Sequence, residues 1–175
     1  MELDGELIFF PLGGSTLALW TSRLENLNRP EFHLFDRDTV PPDPPKSQIY
    51  AEEINKKDGC KAVNTSKKEM ENYLHVEAIK KAYGSINIHL DLNENLMAFD
   101  DVPEIIARKV HDASDSGKIW DELDEKKKEK KISNAKKNLN GIASTFMTKA
   151  LLDEIDQDGD ILSWFNAMNS LLKIN

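Results

Sequence analysis

Short apolar runs and amphipathic stretches take turns over the first third of the chain, and helical spacing takes over after that. Leu7-Ile8-Phe9-Phe10 is a continuous apolar run closed by Pro11 and Gly13-Gly14, the pattern of a strand buried on both faces of a parallel sheet. Leu17, Trp20, Leu24 and Leu27 follow at helical spacing until Asn28-Arg29-Pro30, which predicts an amphipathic helix of about three turns. Phe32 to Phe35 reads as a second strand ending directly before Asp36. Four prolines between Thr39 and Pro45 mark a loop. Ser47 reads as a helix start, with Tyr50 and Ile54 on the buried side and Asp58-Gly59 as the stop. Cys60 to Val63 makes a third strand running into Asn64-Thr65-Ser66.

Strands alternating with helices at this spacing imply right-handed crossovers and a parallel sheet with helices on both sides. In such sheets functional groups gather at the carboxyl ends of the strands. That rule places Gly13-Gly14, Asp36 with Asp38, and the residues after Val63 along one edge. From Ser66 the pattern is mostly helical. Val102, Ile105, Ile106 and Val110 are spaced for one helix, and the lysine-rich stretch from Trp120 to Leu139 for a second. Phe146, Met147, Leu151 and Ile155 suit a third. Asp158-Gly159 breaks it before a closing helix with Ile161, Leu162, Phe165, Met168, Leu171 and Leu172. The reading is an α/β core over residues 1–90 and a helical annex over 91–175.

At 175 residues with 39% hydrophobic content, the chain can bury a core. Its single cysteine, Cys60, excludes an intrachain disulfide and a cysteine-built zinc site, and points to the cytoplasm. The opening apolar run is too short for a signal-peptide core or a membrane span, so no membrane is expected. A net charge of −8 is awkward for a nucleic-acid binder. The positive charge is concentrated, however: Lys126, Lys127, Lys128, Lys130, Lys131, Lys136 and Lys137 fall within a dozen residues. Interleaved acids, from Asp121 to Glu129, give that run an equally plain reading as a solvated helix face.

Asp36-Arg37-Asp38 is the sharpest local feature. Two carboxylates two positions apart at a strand end point to one side and suit one or two hard cations; a turn that uses Asp for local hydrogen bonds has the same signature. Glu69 and Glu71 open a helical segment after the third strand, where a helix dipole also favours carboxylates. Two acidic clusters after adjacent strands would converge on one cleft. Asp156 to Asp160 lacks calcium-loop spacing and reads as a turn. His33 reads as packed or hydrogen-bonded, and His75 lies close enough in sequence to the glutamates to touch a substrate. Trp20, Phe146, Trp164 and Phe165 read as core.

Phe-Pro-Leu-Gly-Gly-Ser at 10–15, Leu-Phe-Asp-Arg-Asp at 34–38, Lys-Lys-Glu-Met-Glu-Asn-Tyr-Leu at 67–74 and Asn-Ala-Lys-Lys-Asn-Leu-Asn at 134–140 together resemble the C-terminal TOPRIM nuclease region of the overcoming-lysogenization-defect (OLD) family of ATP-dependent endonucleases. The resemblance implies a TOPRIM-like, Rossmann-like sheet and metal-dependent hydrolysis of DNA by a phage-defence ATPase-nuclease. It implies Mg²⁺ or Mn²⁺, one or two ions, held by Asp36, Asp38 and Glu69 or Glu71, with Lys136 or Lys137 stabilising charge at the scissile phosphate. The family's first strand, which delivers a glutamate, has no counterpart, and no phosphate-binding loop of an ATPase is present. An ATPase domain or subunit supplied elsewhere is therefore the expected partner beside DNA, and a homo-oligomer is compatible. The other reading is a catalytically inactive module of the same fold that docks on an ATPase partner or nucleic acid.

Overall fold

The computed structural model describes residues 7–10, 23, 25–27, 29–93, 96–114 and 117–173. Among these the only sheet has two strands, β1 (Glu31–Phe35) and β2 (Cys60–Asn64), paired in parallel with Glu31 opposite Cys60 and Phe35 opposite Asn64. Between them lies the crossover helix α1 (Gln48–Ile54), whose buried positions are Ala51 and Ile54. Strand alternation puts Phe35, Cys60 and Ala62 on one sheet face, and these residues pack with Ala51 and Ile54. Tyr50, expected inward, is exposed, because Ala51 takes that side of a helix only seven residues long.

The expected first strand is not formed. Residues 7–10 have no strand structure, and Ile8, Phe9 and Phe10 are exposed, Ile8 by 74%. A strand needs a ladder partner, and among the described residues β1 pairs with β2 alone. The glycine pair 13–14 and most of the helix expected over 17–27, Trp20 included, lie outside the described residues; a 3-10 turn at Glu25–Leu27 is what is described there.

After β2 come a 3-10 turn (Met70–Tyr73) and the helices α2 (Val76–Ser85), α3 (Val102–Ala113), α4 (Glu125–Gly141), α5 (Lys149–Ile155) and α6 (Asp160–Leu172). Side chains cap the starts of α2 to α5: His75 Nδ1 accepts from Glu77 N, Asp101 from Glu104 N, Asp124 from Lys127 N and Thr148 from Leu151 N. These satisfy backbone donors that no helical carbonyl can reach. The lysine helix begins at Glu125 rather than Trp120 because Asp124 supplies the cap; Trp120 is buried in a preceding 3-10 turn. Ile79, Tyr83, Val102, Ile106, Trp120, Ala135 and Leu139 form the main core, which draws on α2, α3 and α4 and so on residues both before and after position 91. Helix α6 contacts both strands, with Trp164 buried and Phe165 46% exposed. Phe165, expected in the core, points away because its neighbour Trp164 faces inward. No helix among the described residues is long and apolar enough to cross a membrane.

Candidate functional site

Asp36 stands one residue beyond the last ladder position of β1, and the backbone around it is laced to three other segments. Thr65 N donates to Phe35 O at 2.9 Å, and Arg37 N donates to Thr65 Oγ1 at 2.9 Å. Lys46 N donates to Arg37 O at 3.0 Å and Asp38 N to Lys68 O at 2.9 Å. Ser47 Oγ reaches Asn64 Oδ1 at 2.6 Å. Asp38 adopts φ +60°, a left-handed conformation that Asp tolerates better than most residues. The two carboxylates are therefore not presented by strand alternation: Asp36 is half-buried and Asp38 exposed.

The 3-10 turn supplies the second group. Asn72 fixes it by accepting from Glu69 N at 3.0 Å and donating to Met97 O at 2.9 Å and Asp100 O at 3.1 Å. Met70 N then donates to Asp36 Oδ1 at 2.9 Å, so the acidic triplet and the glutamate segment touch directly. The third group comes from α4. Lys136 Nζ lies 2.6 Å from Glu69 Oε2 and 3.5 Å from Glu71 Oε1, and Asn140 Nδ2, one turn on, donates to Glu71 Oε1 at 2.8 Å. Lys137 is exposed and makes none of these contacts. Asn140 was not singled out from the sequence; its place four residues after Lys136 on one helix face was the available signal.

Burial pushes the Asp36 carboxyl up to about 6, and the charges of Glu71 and Asp38 push the same way, against the Met70 amide and Lys136. Burial works against the Lys136 ammonium, yet its hydrogen bond to Glu69 and the charges of Glu71, Glu69 and Asp36 hold it above the ordinary lysine value. Lys136 is thus a standing cation, while Asp36 titrates close to neutrality.

Glu71 is 1% exposed, and its Oε2 has no hydrogen-bond partner. A buried carboxylate oxygen without a donor is costly. Asp36, Glu69 and Glu71 around the Lys136 ammonium, with Asp38 two residues from Asp36, are a set of hard oxygen donors suited to Mg²⁺ or Mn²⁺. Among the described residues no three His, Cys, Asp or Glu side chains converge in metal-binding geometry; Lys136 stands between the two glutamates instead. The donor chemistry fits a divalent cation, and the bridging Lys136 is how the cluster balances its charge with its own groups.

A second polar cluster adjoins this one. Tyr73 OH donates to Asp160 Oδ2 at 2.5 Å, and Ser66 Oγ donates to the same oxygen. Lys67 Nζ donates to Ile155 O at 2.7 Å and sits 4.7 Å from the centre of the Tyr73 ring. Asp156 Oδ2 accepts from Ile161 N at 3.0 Å, so residues 156–160 form an inter-helix turn. His75 serves as the α2 cap and lies 3.3 Å from Glu154. His33 bonds Glu31 at 2.8 Å. No family model, curated protein or solved structure matches the chain.

Proposed function

We propose that the chain is the TOPRIM-type nuclease part of an OLD-like ATPase-nuclease, hydrolysing DNA phosphodiesters with Mg²⁺ or Mn²⁺. Asp36, Asp38 and Glu71 would hold the ion, with Glu69 and Lys136 beside it. The observation that carries this reading is the direct contact between Asp36 and the glutamate turn, with Lys136 adjacent, three segments remote in sequence meeting where β1 ends. Two parallel strands with helices packed on them support a TOPRIM-like fold; the phage-defence setting and the ATPase partner are inferred from motif resemblance.

Such an ion, when bound, polarises the phosphodiester and activates water. The chain's own residues do the rest. Asp36, ionised above about pH 6, presents oxygens from a backbone fixed at both ends. Asn140 holds Glu71 through one oxygen and leaves the other open. Lys136, beside Glu69 and Glu71, would offset charge on the phosphate.

Two measurements on the full chain test this: calorimetric titration with Mn²⁺, and nicking of supercoiled plasmid in Mg²⁺ or Mn²⁺. Mn²⁺ binding that disappears in Asp36→Asn, together with metal-dependent nicking lost in the same variant, is the expected result. Nicking that survives Asp36→Asn would refute the assignment. The Lys136 bridge favours one competing reading, an inactive module docking on an ATPase partner or nucleic acid; it requires that Mn²⁺ does not bind at all.

A further inference from the structure

We propose that the outward face of α4 is a track for a nucleic-acid phosphate backbone, leading to the carboxylate cluster. The direction of the track rests on the nuclease reading above; the binding itself does not. Helix α4 carries seven lysines against two glutamates. Three of the lysines are engaged: Lys127 with Asp124 at 2.9 Å, Lys128 with Glu125 at 3.1 Å, and Lys136 with the glutamates. Lys126, Lys130 and Lys137 are exposed, Lys131 half so, and none of the four has an ion pair or hydrogen bond among the described residues.

Spacing turns three of these into a stripe. At about 100° per residue, Lys126, Lys130 and Lys137 fall within roughly 40° of one another and span about 16 Å of helix axis. Exposed Ser133 and Asn134 lie between them. The stripe borders an open cavity of about 500 Å³ lined by Glu129, Ile132, Ser133, Lys136, Lys137 and Asn140. Lys136 and Asn140 are also the residues that hold Glu69 and Glu71, so the cavity wall runs from Lys137 of the stripe to the partners of the glutamates.

The charge selects the occupant. A line of free ammonium groups on an otherwise acidic chain of net charge −8 favours a polyanion at this face. An anionic membrane would require several exposed large apolar side chains beside the lysines, and between Lys126 and Lys137 the exposed neighbours are Glu129, Ser133 and Asn134, with Ile132 half-buried. Lysine contacts of this kind carry no sequence information, so the track binds DNA strands without base preference.

The test is fluorescence anisotropy with single-stranded and duplex oligonucleotides in EDTA, where no cleavage occurs. It compares the full chain, a Lys126→Gln/Lys130→Gln/Lys137→Gln triple variant and the corresponding Arg triple. Gln keeps helix propensity close to that of Lys, and circular dichroism verifies the fold. The Gln triple should bind roughly tenfold or more weakly, with a log affinity against log salt slope shallower by about 2 to 3. The Arg triple should bind as the parent does. No binding by the parent at low salt, a Gln triple indistinguishable from it, or tighter binding to phosphatidylserine vesicles than to oligonucleotide would each overturn the track. Oligonucleotide binding without metal-dependent nicking would leave the track standing and remove the nuclease reading.

Discussion

Two charged clusters hang from the same short segment, residues 65–73, and they are built on opposite principles. Around Lys67 the circuit is closed: the ammonium donates to Ile155 O, Tyr73 and Ser66 donate to Asp160, and Asp156 takes Ile161 N. Burial lowers the Lys67 pKa, and Asp156, Asp158 and Asp160 pull it back up. Around Asp36 the circuit is open. Asp36, Glu69 and Glu71 share the Lys136 ammonium, Glu71 Oε2 has no donor, and burial raises the Asp36 carboxyl to about 6. A closed polar circuit fixes one element against another, here α6 against the sheet. An open one keeps unsatisfied charge in place for something that arrives from outside.

The largest effect separates the two clusters. Trp164 is buried, its ring 5.1 Å from that of Tyr73 in an edge-on contact. Trp164→Ala should cost about 3–5 kcal/mol in urea unfolding and raise amide exchange along α6. The Asp36 titration, followed by NMR, should stay where it is. If the Asp36 midpoint moves with the loss of Trp164, the clusters are one unit and the contrast fails.

Next in size is the choice between neighbouring lysines. Lys136→Met leaves Glu69 and the fully buried Glu71 without their cation, so it should destabilise by about 2 kcal/mol at pH 8. Lys137→Met, on the exposed side, should change stability by no more than about 0.5 kcal/mol. Equal urea midpoints for the two variants at pH 8 would mean that Lys136 balances nothing.

The local elements were largely readable from residue order, and what failed was whatever depended on a partner outside the local window. β1, α1 and β2 appear where Phe32–Phe35, Ser47 and Cys60–Val63 pointed, because each is bounded by its own proline, aspartate or glycine. Leu7–Phe10 reads equally well as a buried strand, but a strand exists only with a ladder beside it. The segment from Glu69 to Tyr73 was expected to be helical and is a 3-10 turn, since Asn72 ties it to the loop at 97–100 rather than continuing the helix. The meeting of residues 36 and 70 followed from strand order alone. That α4 would bring Lys136 rather than Lys137 depends on which face of that helix buries Ala135 and Leu139, and alternate assignments one residue apart look alike in a lysine run.

The effect at Asp36, smaller than those at Trp164 and Lys136, is the most informative about what the open circuit is for. Asp36 has a folded midpoint of about 6 against an ordinary value of 3.8. The native state therefore holds its proton more tightly, and the stability this contributes is complete below about pH 4 and lost as pH rises through about 6. Asp36 is half-buried, so solvent screening trims the loss to about 1–2 kcal/mol. Asp36→Asn keeps the oxygen that accepts from Met70 N and removes the charge, so this variant should match the parent near pH 4 and exceed it by about that margin at pH 7.5 in EDTA. Adding Mn²⁺ at pH 7.5 should reverse the order, because an ion that binds only the folded parent stabilises it by mass action. A side chain that weakens the fold when alone and strengthens it when metal is present belongs to a site rather than to the scaffold. A thermal-shift series in which the two chains keep the same order with and without Mn²⁺ would place Asp36 in the scaffold after all.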